Sequence, residues 1–305
     1  MKIAVTGATG TIGSALVRVL VERGDRVVAL SRDPDRAREK LGSGVEAVRW
    51  ANPATGPAPA EALSGCDGVV HLLGEPVDQR WSDEAKERIR NSRVFGTRYL
   101  VAGIRDADPR PRVLVSQSAT GWYGARGDES LDESEPAAGD FLARVVADWE
   151  AEARGAEELG VRVVLPRTGV VLSEDGGALG KMITPFKLGV GGPVAGGDQY
   201  VPWIHIDDVV GAIVCFLEDE RVRGPVNVTA PEPATNRELS KALGRVLRRP
   251  AVLPVPGFAL KLLYGEMSLI VTTGARVVPA RLAEIGYRFR RPDLEDALRA
   301  ATGRG

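Results

Sequence analysis

The sequence predicts an α/β fold: a doubly wound parallel sheet with a smaller, C-terminal α/β part on the substrate side. Three observations predict it. Short apolar runs alternate with amphipathic helical stretches through the first half of the chain, as strands joined by helical crossovers do. Gly7, Gly10 and Gly13 stand where the first run hands over to the first helix. The length of 305 residues exceeds the usual size of one domain.

Residues 2–5 read as the first strand. The helix after it carries Leu16, Val17, Leu20 and Val21 on one stripe, and Gly24 suits its C-terminal end. Residues 26–30 form the second strand, and Asp33 before Pro34 reads as an N-cap with proline at the first helical position. Residues 45–50 are a third strand, and 67–74 a fourth, buried and apolar. Residues 83–106 predict a long charged helix capped by Ser82. A strand at 112–116, a helix at 141–159 and a strand at 161–165 complete the alternation. Residues 225–229 read as a strand that returns to the sheet. The expected division is therefore residues 1–170, plus a return segment near 200–230, as the Rossmann-like unit. Residues 171–199 and 231–300 form the smaller unit, with helices at 236–247 and from 258, and an extended stretch at 250–256 between them.

Right-handed crossovers bring residues 7–13, 31–32, 73–75, 116–123 and 166–170 to one edge of such a sheet. The glycines there have a physical reason. A side chain at Gly7 or Gly10 would obstruct the turn or the approach of a phosphate, and one at Gly13 would push the helix off the sheet. The exposed amides around Thr9, Thr11 and Ile12, with the positive end of the helix dipole, suit a pyrophosphate. At the tip of the second strand stand Ser31 and Arg32. An acidic residue there would read an NAD ribose, whereas the planar fork of Arg suits a 2′-phosphate. The expected cofactor is NADP(H) in preference to NAD(H), with Leu73, Gly74 and Pro166 as further contacts on the same edge.

Forty basic and 41 acidic residues give a net charge of -1, which offers no global attraction to nucleic acid or to a membrane. No apolar run reaches membrane-spanning length, and the N-terminus reads as a strand rather than a signal peptide, so the expected compartment is the cytoplasm. Cys66 and Cys215, with His71 and His205 the only histidines, suggest neither a disulfide framework nor a metal site.

The runs GATGTIG, HLLGEP, SQSATGWYG and WIHIDD together resemble an extended short-chain dehydrogenase/reductase. GEPVDQRWSDEAKERIRNSR, DWEAEA, PRTGVVLSEDGGAL, LPVPGFALKLLYGE and VVPARLAEIGYRF are similar to its atypical epimerase/dehydratase-like branch of uncharacterised oxidoreductases, over nearly the whole chain. The resemblance implies hydride chemistry on a small carbonyl or hydroxyl compound. It also implies a serine, tyrosine and lysine at the reacting centre, and here the sequence departs. Ser118 matches the serine, but between Gly124 and Lys181 there is neither Tyr nor Lys. The YxxxK relay cannot be assembled.

Tyr123 and Glu75 are the candidate replacements: a phenol after the serine loop, or a carboxylate beside the expected nicotinamide. Either could instead be structural, Tyr123 as a packing residue and Glu75 as a partner of Arg80 or Arg93. Lys181 reads more readily as a solvated loop lysine, and His205 as part of a helix start. Arg80, Trp81, Lys86, Arg93, Gln199 and Trp203 could line a cleft for an anionic or sugar-like metabolite, although both tryptophans equally suit core. Two functions follow: an NADP(H)-dependent oxidoreductase or epimerase acting on a small molecule, or a non-catalytic NADP(H) sensor. A homodimer is common for this fold.

Overall fold

The structure, a computed structural model, describes residues 1–174 and 176–304. The chain alternates as β1 (Lys2–Thr6), α1 (Thr11–Glu22), β2 (Arg26–Ser31), α2 (Pro34–Leu41), β3 (Val45–Arg49) and β4 (Gly68–His71). It continues through α3 (Asp83–Asp106), β5 (Val113–Ser116), α4 (Phe141–Arg154) and β6 (Arg162–Thr168). After α5 (Gly177–Lys187) and α6 (Ile206–Glu218), β7 (Gly224–Val228) rejoins the sheet. The strand order is β7-β6-β5-β4-β1-β2-β3, every pair parallel, with the short strand Ser118–Ala119 added beside β6. The order reverses between β1 and β4, which opens a crevice at the carboxyl ends of those strands.

The sheet is apolar on both faces, as a parallel sheet covered by helices must be. Ile3, Val5, Val27 and Ala29 pack with Leu16 and Leu20 of α1 and with Ile213 and Phe216 of α6. Their strand neighbours Ala4, Val28 and Leu30 pack with Leu100 and Ile104 of α3 on the opposite side. A separate core joins Trp203 to Leu239 and Leu243 of α7 (Asn236–Leu247) and to Leu298 near the C-terminus. α7 begins with a complete capping box between Thr235 and Glu238. Beyond it lies α8 (Gly257–Tyr264), which has no buried residue.

Four details differ from the sequence reading. β4 stops at His71 rather than residue 74. The helix expected to reach residue 159 ends at Arg154, and a short 3₁₀ turn covers Glu157–Leu159. β6 runs through Pro166 to Thr168. Its pairing with β5 ends at Val164, so on that side no ladder bond is lost at the proline. Strands at Gly127–Leu131 and Ala275–Val277, absent from the sequence reading, pair with each other in parallel. Among the described residues no helix is long and apolar enough to cross a membrane.

Candidate functional site

The turn after β1 is built for close approach. Gly7 holds φ +66°, and a Cβ there would lie 2.6 Å from the Leu72 carbonyl oxygen. A Cβ on Gly13 would lie 2.2 Å from the Gly7 oxygen, and one on Gly10 3.3 Å from that same oxygen. The helix N-cap is Gly10, which offers no side-chain cap. The first intrahelical bond runs from Ser14 N–H to the Gly10 oxygen at 2.8 Å, so the amides of Thr11, Ile12 and Gly13 keep the donors that a helix start leaves unpaired. The Thr9 carbonyl accepts from Lys40 Nζ at 2.7 Å, which brings a cation beside the turn. A bare cradle with open amides at the positive end of a dipole fits a dinucleotide pyrophosphate.

The tip of β2 carries exposed basic side chains and no uncommitted Asp33 carboxylate. The Asp33 carboxylate accepts from Arg36 N–H at 3.1 Å and caps α2, with Pro34 at its first position, so the one acidic group at the tip is committed to the helix. Ser31 Oγ donates to the Asp33 carbonyl at 2.9 Å. Arg32 is exposed and makes no side-chain hydrogen bond or ion pair among the described residues. In the parallel ladder Ser31 stands opposite Arg49, a second exposed arginine.

On the other side of the crevice, the loop after β4 is fixed from beneath. Thr6 Oγ1 sits 2.7 Å from His71 Nδ1 and accepts from the Leu72 N–H at 3.2 Å, while His71 Nε2 lies 3.1 Å from Thr97 Oγ1 of α3. Complete burial pushes the imidazole down to about 3, so it stays neutral. Leu72 and Leu73 thereby press against Gly7, and Gly74 rests on the Arg93 guanidinium.

Arg93 is a strut for this loop. Its Nη1 donates to the carbonyls of Glu75 at 2.9 Å and Ile89 at 3.1 Å, and its guanidinium lies 5.3 Å from the Trp149 ring centre. Burial lowers it to about 10, still a cation at neutral pH. The Glu75 side chain keeps 37% of its exposure. Its Oε1 accepts from Gln79 Nε2 at 3.3 Å and lies 3.9 Å from Arg88 Nε.

Ser118 and Tyr123 correct the sequence reading. Both are buried, at 1% and 0% exposure. Ser118 Oγ donates to Glu150 Oε1 at 2.6 Å. That carboxylate is forked by Arg167, with Nε to Oε1 at 2.8 Å and Nη2 to Oε2 at 3.1 Å. Burial opposes the Arg167 charge, but the hydrogen bonds and charge of Glu150 outweigh it and hold the guanidinium above its ordinary value. Tyr123 Oη donates to Asn227 Oδ1 at 2.7 Å and accepts from Arg167 Nη1 at 3.2 Å. Burial raises the phenol further from ionisation. Asn227 N–H and Arg281 N–H both donate to Glu133 Oε1, at 2.8 and 3.2 Å. Neither hydroxyl is presented to solvent.

Glu150, Arg167, Glu133 and Asn227 were not singled out from sequence. The signal was present for two of them. Glu150 falls on the helical stripe of Val146, Trp149 and Ala153, and Arg167 follows the apolar run Val163 to Pro166 of β6. Charges on two apolar patterns in one chain suggest a buried pair.

Three further expectations change. Pro166 is buried within β6, opposite Val226 of β7, and so lies inside the sheet rather than in an edge loop. Trp203 is 1% exposed in the C-terminal core, donating from Nε1 to the Glu232 carbonyl at 3.2 Å, which removes it from a cleft lining. Gln199 gives its amide to the carbonyls of Val194 and Val271, at 3.1 and 2.8 Å. Arg80 remains exposed, and Trp81 is half-buried with its ring 5.3 Å from that of Phe141. His205 caps α6 by accepting from Asp207 N–H at 3.2 Å. The side chain of Lys181 lies outside the described residues.

Comparison with known proteins agrees with this geometry. Residues 3–229 match the NAD dependent epimerase/dehydratase family, and residues 255–301 match a domain of unknown function, DUF1731. The chain is 41% identical to the epimerase family protein SDR39U1 homolog, chloroplastic, of Arabidopsis thaliana, over 98% of its own length and 86% of that protein. It is 38% identical to the epimerase family protein YfhF of Bacillus subtilis, over 98% and 97% of the two chains. The crystal structure of the human epimerase family protein SDR39U1 (isoform 2) with NADPH superposes with a TM-score of 0.88 at 34% identity, covering 99% of each chain. By sequence and by fold, this chain belongs to the NAD dependent epimerase/dehydratase family, and within it to the SDR39U1-type epimerase family proteins, with the DUF1731 domain at its C-terminal end.

Proposed function

We propose that the protein is an NADP(H)-dependent oxidoreductase of the epimerase type that acts on a small carbonyl or hydroxyl compound without a Tyr/Lys pair. The observation that carries this reading is Glu75. Ser118 and Tyr123 are committed to a buried network, whereas the Glu75 carboxylate stays partly open directly after the loop that packs on Gly7. The nicotinamide supplies hydride chemistry when bound. In the reducing direction a C–H bond forms at the carbonyl carbon, the C=O π pair passes to oxygen, and a proton from the Glu75 carboxyl or from water completes the hydroxyl. Gly7, Gly10 and Gly13 would admit the pyrophosphate, and Arg32 would pair with the 2′-phosphate. The solved structure of the human relative with NADPH supports that cofactor choice.

A second reading, a non-catalytic NADP(H) sensor, is favoured by one observation: the buried pairing of Ser118 with Glu150 leaves the serine no hydroxyl to offer a carbonyl oxygen. Titration with NADPH, NADP, NADH and NAD, followed by NADPH oxidation across a panel of carbonyl compounds, separates the two. The expected result is preference for NADPH by at least about tenfold, turnover with one class of carbonyl, and a drop of about 100-fold or more in turnover for Glu75→Gln. Tight NADPH binding with no oxidation across the panel selects the sensor.

A further inference from the structure

The Thr9 carbonyl of the glycine turn is met by a side chain from another element. Within the turn, the Gly7 oxygen accepts from Gly10 N–H at 3.0 Å, and the Gly10 oxygen accepts from Ser14 N–H and Ser14 Oγ, both at 2.8 Å. The Thr9 oxygen instead accepts at 2.7 Å from Lys40 Nζ, 31 residues further along the chain in α2. The peptide unit between Thr9 and Gly10 is therefore held at both ends, its N–H by Gly7 and its carbonyl by Lys40.

Lys40 has no carboxylate to answer its charge. It forms no ion pair with Asp or Glu among the described residues, whereas Arg38 of the same helix pairs with Asp35 at 2.5 Å. Four residues before Lys40, on the same face of α2, stands Arg36, a second exposed cation. An ammonium carries three N–H donors, and the Thr9 carbonyl takes one. Lys40 is exposed. Two donors and a full charge thus remain beside a turn whose amides at Thr11, Ile12 and Gly13 stay open.

The sign of the local field decides what such a turn can hold. A bare carbonyl oxygen repels a phosphate, and the helix end offers only about half an elementary charge. A lysine seated on that carbonyl makes the field there positive and adds a whole charge.

We infer that Lys40 belongs to the dinucleotide site, where its ammonium supports the pyrophosphate of either cofactor and leaves the choice between NADP(H) and NAD(H) to the tip of β2. The inference rests on the dinucleotide-binding part of the reading above and adds α2 to that site. Lys40 fixes the Thr9–Gly10 peptide and attracts the diphosphate; the charge is the part that the test isolates.

The full-length parent, Lys40→Met and Lys40→Arg are titrated with NADPH and NADH, and with 2′-AMP, which carries a 2′-phosphate but no pyrophosphate. Fluorescence of the bound nicotinamide reads the dinucleotides, and displacement of NADPH reads 2′-AMP. Lys40→Met is expected to weaken NADPH and NADH alike, about three- to tenfold, and to leave 2′-AMP unchanged. Raising KCl from about 0.02 to about 0.5 M should shrink that loss, because salt screens an exposed charge. Lys40→Arg should restore most of the affinity. Urea unfolding of the three proteins should coincide, since Met, Arg and Lys suit an exposed helical position equally. Equal affinity of the parent and Lys40→Met for both dinucleotides overturns the inference while the NADP(H) reading stands. A loss confined to NADPH and 2′-AMP moves Lys40 to the 2′-phosphate and overturns it. A loss that ignores salt and that Lys40→Arg does not rescue makes Lys40 a prop for the turn alone, and overturns it too. A parent that binds no dinucleotide removes both the inference and the reading beneath it.

Discussion

The glycine turn after β1 and the strand ends of β5 and β6 lie on the same edge of one sheet, yet the chain leaves the first open and closes the second. At the turn, the amides of α1 face no cap and Arg32 has no partner among the described residues. Around β6, Ser118, Tyr123, Glu150, Arg167 and Asn227 bond to one another, with every member buried. Open donors are available to a ligand; satisfied ones hold structure. The difference separates donors left open to a ligand from donors committed to framework.

That contrast can be broken most forcefully at Arg167. Replacing it with Ala leaves the Glu150 carboxylate buried without its guanidinium, at a cost of about 3–5 kcal/mol. Urea unfolding should show this, and a double Arg167→Met, Glu150→Leu variant should recover most of it. A single variant as stable as the parent would mean that the pair is not framework. At the open end, Arg32→Ala should weaken NADPH by about 1.5–3 kcal/mol and leave NADH nearly unchanged. Equal losses for both would show that Arg32 does not read the 2′-phosphate.

Between the two ends stands His71, neutral when folded and pushed by burial to about 3. The unfolded chain titrates near the ordinary histidine value, so the contribution of His71 is complete above roughly pH 6.5. It is lost as pH falls from there toward the folded value, by roughly 1 kcal/mol per pH unit. Unfolding free energies between pH 7 and 5 should decline accordingly, and the His71 ring resonances should not titrate over that range. The smallest effect belongs to Asp33→Ala. Loss of the α2 cap should cost about 1 kcal/mol in stability and leave the NADPH to NADH ratio as it was. A large change in that ratio would return Asp33 to the ribose.

The parallel sheet, the glycine turn and the Asp33 cap were legible because each is written in adjacent residues: alternation, spacing, and a cap before a proline. α3 and α7 match the sequence reading to the residue for the same reason. The roles of Ser118 and Tyr123 were not legible. Their partners stand 32 and 104 residues away along the chain, and no local pattern pairs a serine with a distant glutamate. Trp203 was undecided from sequence because a tryptophan in a short strand suits a cleft or a core equally, and only the neighbours from α7 settle it. The pairing of Gly127–Leu131 with Ala275–Val277 lay hidden for the same reason of separation.

The return of the chain at β7 sets an order on synthesis. Seven of the sheet's eight strands exist once residue 168 has been made, but β6 is then a bare edge, and Tyr123 still lacks Asn227. Glu133 waits longer, for the amide of Arg281. A ribosome that stops before residue 224 releases a protein with its nucleotide turn formed and an unpaired strand exposed, the condition under which sheets join edge to edge. β7, complete at residue 228, then takes over as the edge strand, and Arg281 Nη1 donates to its Pro225 carbonyl at 2.8 Å, so a segment made later still engages the backbone of the new edge.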